Sequence, residues 1–289
     1  MLMRLALACV WLLSLLPLGL LAAAGNVFGA LLYALPTERR RVCRLNLARC
    51  LTRLSEEERE VLAHRHFQAF ARTLLERAVL WWRSPARIRQ MVRIEGREHF
   101  DAVRGGPLIL LVPHFVGLDM GWARLSMEFD MVSIYSNQKN AVFNAVLLAG
   151  RKRFGVQALL SRQEGVRPAL RAMQAGLPFY YLPDMDYGHR DTIFVPLFGV
   201  NAATITGVSR LARLAGARVV PCVTRMLPGG EGYAVRILPA WENYPGASIE
   251  EDTLRMNAFV EEQVLKMPEQ YLWVHKRFKT RPPGEPLWY

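Results

Sequence analysis

His114 and Asp119 stand five residues apart, directly after the run Leu108-Ile109-Leu110-Leu111-Val112-Pro113. So short and continuous an apolar run reads as a strand buried on both faces. The strand ends at His114, and a turn through Gly117 opens a helix whose start carries Asp119. In open α/β sheets the carboxyl ends of strands line the crevice that holds ligands. Imidazole suits proton transfer there because its ordinary pKa, about 6.5, lies near neutrality. A carboxylate reaching back across the turn would hold one ring nitrogen and leave the other as a general base. The same two residues could do no more than cap a helix, and spacing alone leaves both readings open.

The elements that must position this pair alternate. Ser55-Glu56-Glu57-Glu58 reads as a capping box, opening a helix towards Trp82 with Phe67, Phe70, Ala71, Leu74 and Ala78 on one face. After Gly105-Gly106 the pattern predicts strands at Pro107–Pro113, Met131–Tyr135, Pro178–Pro183, Arg218–Met226 and Tyr233–Leu238, with a final strand at Tyr271–Phe278. Helices are expected at Gly117–Phe129, Ala141–Phe154, around Val166–Leu177, at Thr204–Ala215 and at Glu250–Met267. Gly229-Gly230-Glu231-Gly232 reads as a hairpin connection. Alternating elements of this kind imply an α/β fold with a mostly parallel sheet flanked by helices.

No charged residue occurs from Leu5 to Leu35. That run exceeds the ~20 residues that cross a bilayer core. Ala22-Ala23-Ala24 resembles a signal-peptidase site behind the basic Arg4. The apolar stretch resumes with Val27, Phe28, Leu31, Leu32 and Leu35, however, and is followed by Arg39, Arg40, Arg41, Arg44, Arg49 and Arg53. The positive-inside rule puts such a cluster in the cytoplasm, so an uncleaved anchor is the expected reading. Gly25-Asn26 is a candidate break between a spanning helix and an interfacial one, and one tilted span is the other reading. Three regions follow: an anchor at residues 1–36, a basic helical region at 37–104 and an α/β core at 105–289.

The 289 residues carry 37 Lys and Arg against 25 Asp and Glu, so the partners should be anionic. Nucleic acid is not expected, because no aromatic RNA-binding motif, zinc-finger spacing or dense basic helix is present. Cys9, Cys43, Cys50 and Cys222 form neither a disulfide framework nor a zinc pattern. No metal is expected, and no G-x-S-x-G nucleophile elbow occurs. Arg151 and Arg153, in Ala149-Gly150-Arg151-Lys152-Arg153-Phe154, are candidate donors to an oxyanion. They equally fit a helix C-terminus, where cations are favoured. Asp184, at the end of a strand, should face the same crevice.

H-x-x-x-x-D after an apolar strand resembles the signature of glycerolipid acyltransferases. Pro183-Asp184-Met185-Asp186-Tyr187-Gly188, Phe194-Val195-Pro196-Leu197-Phe198-Gly199 and Ala203-Thr204 narrow the likeness. So does Tyr271-Leu272-Trp273-Val274-His275-Lys276-Arg277-Phe278-Lys279-Thr280-Arg281-Pro282. Over nearly its whole length the chain resembles the late acyltransferases of lipid A biosynthesis, the lauroyl and myristoyl transferases of Gram-negative inner membranes. Many of these carry Glu at the position of Asp119, and the shorter carboxylate suits the same role.

The resemblance implies an acyltransferase at the inner membrane, with a single-pass anchor and a cytoplasmic body. An acyl group would pass from acyl carrier protein to a 3-hydroxyacyl chain of a lipid A precursor. Another lipid acceptor, such as a lysophospholipid, is the alternative. In this reading His114 takes the hydroxyl proton, Asp119 orients His114, and Arg151 stabilises the oxyanion, with Arg153 able to share that task. Asp184 orders the site or the acceptor. Lys276 and Arg277 would bind acceptor phosphate or the acidic carrier, and a plain solvated basic face is the equal alternative. No cofactor beyond the carrier-bound thioester is implied. An apolar tunnel for the acyl chain is expected beside the site.

Overall fold

The computed structural model describes residues 2–289; the side chains of residues 2–4 and 6, Arg4 among them, lie outside that description. The chain opens with α1 (Leu2–Leu13), α2 (Leu18–Ala34), α3 (Glu38–Cys50), α4 (Glu56–Trp82) and α5 (Pro85–Met91). Then follow β1 (Val92–Glu95), α6 (Arg97–Asp101), β2 (Leu108–Leu111), α7 (Leu118–Leu125), β3 (Val132–Tyr135), α8 (Ala141–Arg151), β4 (Ala158–Ser161) and α9 (Arg167–Gln174). The remainder is β5 (Phe179–Tyr181), β6 (Thr192–Leu197), β7 (Val200–Ile205), α10 (Gly207–Ala215), β8 (Arg218–Met226), β9 (Tyr233–Ile237) and α11 (Ile249–Lys266).

Seven strands form one sheet in the order β1-β9-β8-β2-β5-β3-β4, parallel except where β8 meets β9. The expected α/β class, a mostly parallel mixed sheet between helices, is what the chain adopts. β1, from the region before Gly105-Gly106, pairs with β9 at the sheet edge. The centre is β2, whose Ile109 and Leu111 pack into one core cluster while Leu108 and Leu110 pack into the other. Burial on both faces explains why its sequence is apolar without alternation.

Two segments differ from the expected elements. Tyr271–Phe278 is not a strand: only Tyr271 pairs, in an isolated bridge with Phe115, and tight turns follow. Its alternating large residues are pulled inward by those turns, and Trp273 and Phe278 end 2% and 1% exposed. Thr204 and Ile205 belong to β7, opposite Ile193 and Thr192 of β6, so α10 begins only at Gly207. The β6–β7 hairpin turns on Phe198-Gly199, both at positive φ (52° and 73°). A two-residue turn with that geometry matches the twist of the flanking strands.

The N-terminal helices also depart from expectation. α2 runs unbroken through Gly25-Asn26, and the break falls instead before Pro17, whose ring supplies no N–H to continue α1. Gly25 and Gly29 are contact residues: an added Cβ would lie 2.6 Å from Arg72 Cα and 2.4 Å from Gln68 Cα. Their bare backbone lets α2 lie directly on α4. Gly29→Ala should therefore cost about 2 kcal/mol, the usual penalty of forcing packed backbones apart. A fall in melting temperature, with the far-ultraviolet helix signal retained, checks it. Among the described residues, no single helix is long and apolar enough to cross a membrane; α2 joined to α3 across a 90° bend passes by length and composition.

Candidate active site

The register of the sheet explains how two distant residues meet. Leu111 of β2 pairs with Tyr181 of β5 in parallel. Both strands end at that pair, and the chain runs three residues beyond each, to His114 and Asp184 respectively. The two side chains thus leave the same end of adjacent strands. His114 Nδ1 lies 2.6 Å from Asp184 Oδ1, and the His114 backbone N–H donates to both carboxylate oxygens at 3.1 and 3.0 Å. A carboxylate accepts, so Nδ1 carries the proton. Among the described residues none hydrogen-bonds Nε2. Burial would raise the Asp184 pKa, but the adjacent His114 holds the carboxyl below its usual range.

Asp119 is not the partner of His114 Nδ1. Its Oδ2 is 2.7 Å from Arg77 Nη2, and its Oδ1 accepts from Arg151 Nη2 at 2.9 Å and Nε at 3.3 Å. Burial pushes the Asp119 pKa up, but Arg77 and Arg151 outweigh it and hold the group down to about 2. The carboxylate is therefore a clamp on two guanidinium groups. The helix that presents it sits hard against the sheet, since a Cβ on Gly121 would lie 2.1 Å from Thr224 Oγ1.

The remaining sequence candidates divide. Arg153 is turned away from the site, donating to the Leu80 carbonyl at 2.7 Å and to the Arg83 carbonyl. Arg277 is 3% exposed and spends Nη1 and Nη2 on the Ala203 carbonyl and Thr204 Oγ1, both at 2.8 Å. It pins the C-terminal segment to β7. Lys276 is at the surface and pairs with Glu38 at 2.8 Å. The sequence reading missed Arg77 and His275. Arg77 adjoins the stripe of α4 read as core, and its signal is a charge flanking that stripe. The His275 ring nitrogen Nε2 accepts the Asp186 N–H at 3.2 Å. Asp186 in turn accepts from Thr280 N and Oγ1, both at 2.8 Å. The PDMDYG and RFKT segments are thus one bonded unit behind the histidine.

Cavities at the site are narrow. One of about 10 Å³ touches His114, Asp184, Tyr271 and His275, and one of about 20 Å³ touches Asp119, Arg151, Trp122 and Leu159. Neither is the open acyl tunnel expected. A far larger groove, about 830 Å³, lies between α3 and the start of α4, where Arg40, Arg41, Arg44 and Arg59 alternate with Glu38 and Glu60.

One buried histidine, His66, and one half-buried, His275, make the fold acid-sensitive. Burial pushes His66 down to about 4, and burial with the charges of His114 and Arg277 does the same for His275. Both are depressed, so the unfolded chain binds more protons between pH about 6.5 and 4. Their stabilisation is complete above pH 6.5 and is lost as pH falls towards 4, by up to about 3 kcal/mol each. Melting temperature should drop steeply from pH 7 to pH 5, and His66→Gln should flatten that slope.

Residues 1–280 match the sequence profile of a family described as bacterial lipid A biosynthesis acyltransferase. The chain is 33% identical over 288 residues to the lipid A biosynthesis lauroyltransferase of Escherichia coli K12, covering 99% of this chain and 94% of that one. It is 30% identical to the palmitoleoyltransferase of the same organism, over 98% of this chain and 92% of the relative. With the myristoyltransferase it shares 33% identity over 85% and 77% of the two chains. The histidine–carboxylate pair at the strand ends is thus set in a chain that belongs to the bacterial lipid A biosynthesis acyltransferases.

Proposed function

We propose that the protein transfers a fatty acyl group from acyl carrier protein to a 3-hydroxyacyl chain of a lipid A precursor, at the cytoplasmic face of the bacterial inner membrane. The carrying observation is the 2.6 Å contact from His114 Nδ1 to Asp184, with Nε2 left to meet a substrate. Asp184 fixes the tautomer and stabilises the imidazolium that forms. Nε2 takes the proton of the acceptor hydroxyl as its oxygen attacks the thioester carbonyl. The C–S bond then breaks, and the leaving thiolate recovers the proton from Nε2. No acyl-enzyme is formed.

The oxyanion of the tetrahedral intermediate needs a fixed donor. Arg151 fills that role: Asp119 holds its Nε and Nη2 and leaves Nη1 to point elsewhere. Arg77 shares the clamp and adds positive charge. The donor carrier is acidic and the acceptor carries phosphates, which suits a chain of net charge +12. Lys276 and the arginines of α3 are the cations placed to meet them, whereas the buried Arg277 serves the fold. The apolar N-terminal helices hold the body at the membrane.

The test is transfer by purified protein. Carrier proteins bearing 10-, 12-, 14- and 16-carbon chains are offered to a tetraacylated, phosphorylated precursor with Kdo, and mass spectrometry reads the product. A gain of one acyl group that disappears in His114→Ala is the expected result. No gain with any donor, together with acylation of a lysophospholipid, would overturn the acceptor assignment.

A further inference from the structure

α2 has two unlike sides. Leu21, Ala22, Gly25, Gly29 and Tyr33 are buried, and Leu20, Val27, Phe28, Leu31 and, just past the helix end, Leu35 are exposed. The exposed set recurs at helical spacing along one face. α1 continues the surface with exposed Leu5, Trp11, Leu12, Leu15 and Leu16. Among the described side chains the result is an apolar face without charge, far larger than single scattered surface leucines would make. A helix that is apolar all round must be covered on every side, and the protein covers only one side of α2.

The covered side decides the orientation. Tyr33 donates to Glu60 Oε1 at 2.5 Å, Gly29 abuts Gln68, and Gly25 abuts Arg72. Arg72 is itself paired with Glu76 at 3.1 Å. These contacts match α2 to α4 along most of its length. If α2 crossed a bilayer while so docked, Glu60, Gln68, Arg72 and the sheet behind α4 would be carried into hydrocarbon. Charged side chains at that depth cost about 3 kcal/mol each or more. At 17 residues and 1.5 Å per residue, α2 is also shorter than the ~30 Å core.

We infer that α1 and α2 lie in the plane of the membrane, sunk into one leaflet by their exposed face, and that the chain does not cross the bilayer. The occupant of the face is lipid. α3 leaves α2 at 90° and carries Arg39, Arg41, Arg44 and Arg49 on exposed positions, a cationic rim at headgroup level. Anionic lipids attract such a rim, and a helix lying flat buries its apolar side some 5–10 Å deep. α8, which brings Arg151 to Asp119, touches α1 and exposes Val142 beside it.

The inference rests on the membrane reading above, and its test separates the two. Full-length protein, with the exposed Cys9 replaced by Ser, is spin-labelled singly at Leu20→Cys, Val27→Cys, Leu31→Cys and Leu35→Cys. Labelled proteins are bound to phosphatidylethanolamine–phosphatidylglycerol vesicles, after a melting curve matched to the unlabelled chain. Depths within about 5 Å of one another are expected for a helix lying flat. An upright helix would spread the outer pair over about 20 Å, and that gradient overturns the inference while the membrane reading stands. Labels out of reach of a lipid-phase quencher, as under a second copy of the chain, overturn it as well. Failure to bind vesicles overturns both. Sidedness gives a second readout: a tag on the amino terminus should be cleaved by protease in inverted inner-membrane vesicles and spared in spheroplasts, as the body is. Cleavage in spheroplasts alone means a crossing.

Discussion

Replacing His114 with alanine should lower acyl transfer about a thousandfold, because no other described group is placed to take the hydroxyl proton. Asp184→Asn should come close to that loss, about a hundredfold or more, with KM little changed. The asparagine oxygen can still accept the His114 backbone N–H, so the loop keeps its shape. What disappears is the charge that stabilises the imidazolium and fixes Nδ1–H. Two residues acting as one unit do not add. The double variant His114→Ala/Asp184→Asn should therefore be no slower than His114→Ala alone. A single-turnover rate for each of the three variants decides it. Transfer by Asp184→Asn within threefold of the parent would sink the pairing. So would a cycle in which Asp119, and not Asp184, fails to add to His114.

That experiment also probes the boundary of what a sequence tells. The β2 strand, the turn through Gly117 and the helix carrying Asp119 follow from one apolar run and one glycine. Local pattern sufficed because every determinant lies within a few neighbours. The partner of His114 is seventy residues away. It is reached through the register of β2 against β5, which no local pattern encodes. The H-x-x-x-x-D spacing pointed to the near carboxylate, but two arginines from other elements claim Asp119 first. Arg77 could not be assigned because its role depends on where α4 crosses α7. The apparent strand at Tyr271–Phe278 failed for a related reason. Alternating large residues are what a strand needs, yet backbone turns and deep wedging of Trp273 and Phe278 satisfy the same residues differently. Likewise, Gly25 looked like a helix break and is a helix contact, since a glycine's meaning depends on what lies against it.

Asp119→Ala should cost both activity and stability, and the two losses can be pulled apart. In the protein Asp119 is bonded to Arg77 and Arg151, whose side chains are 20% and 26% exposed. Removing the carboxylate leaves two guanidinium groups side by side with nothing between them. Breaking such a half-buried set costs less than a fully buried one, about 2 kcal/mol, a fall in melting temperature of roughly 4 °C for a chain of this size. Transfer should fall about a hundredfold, since Arg151 is no longer held where the oxyanion forms. Adding Arg77→Met to Asp119→Ala removes the repulsion, so the melting temperature should recover by half or more. Transfer should stay low, because Arg151 remains unanchored. If the double variant regained both, Asp119 would serve the fold alone, and Arg151 would need no clamp. Acid supplies a further check on sign. The Asp119 pKa is depressed, so its contribution is present above the ordinary carboxylate pKa and is lost only as pH falls through about 2. Loss of folded protein between pH 6.5 and 4 then follows His66 and His275, and the Asp119→Asn variant should show that same acid loss from a lower plateau.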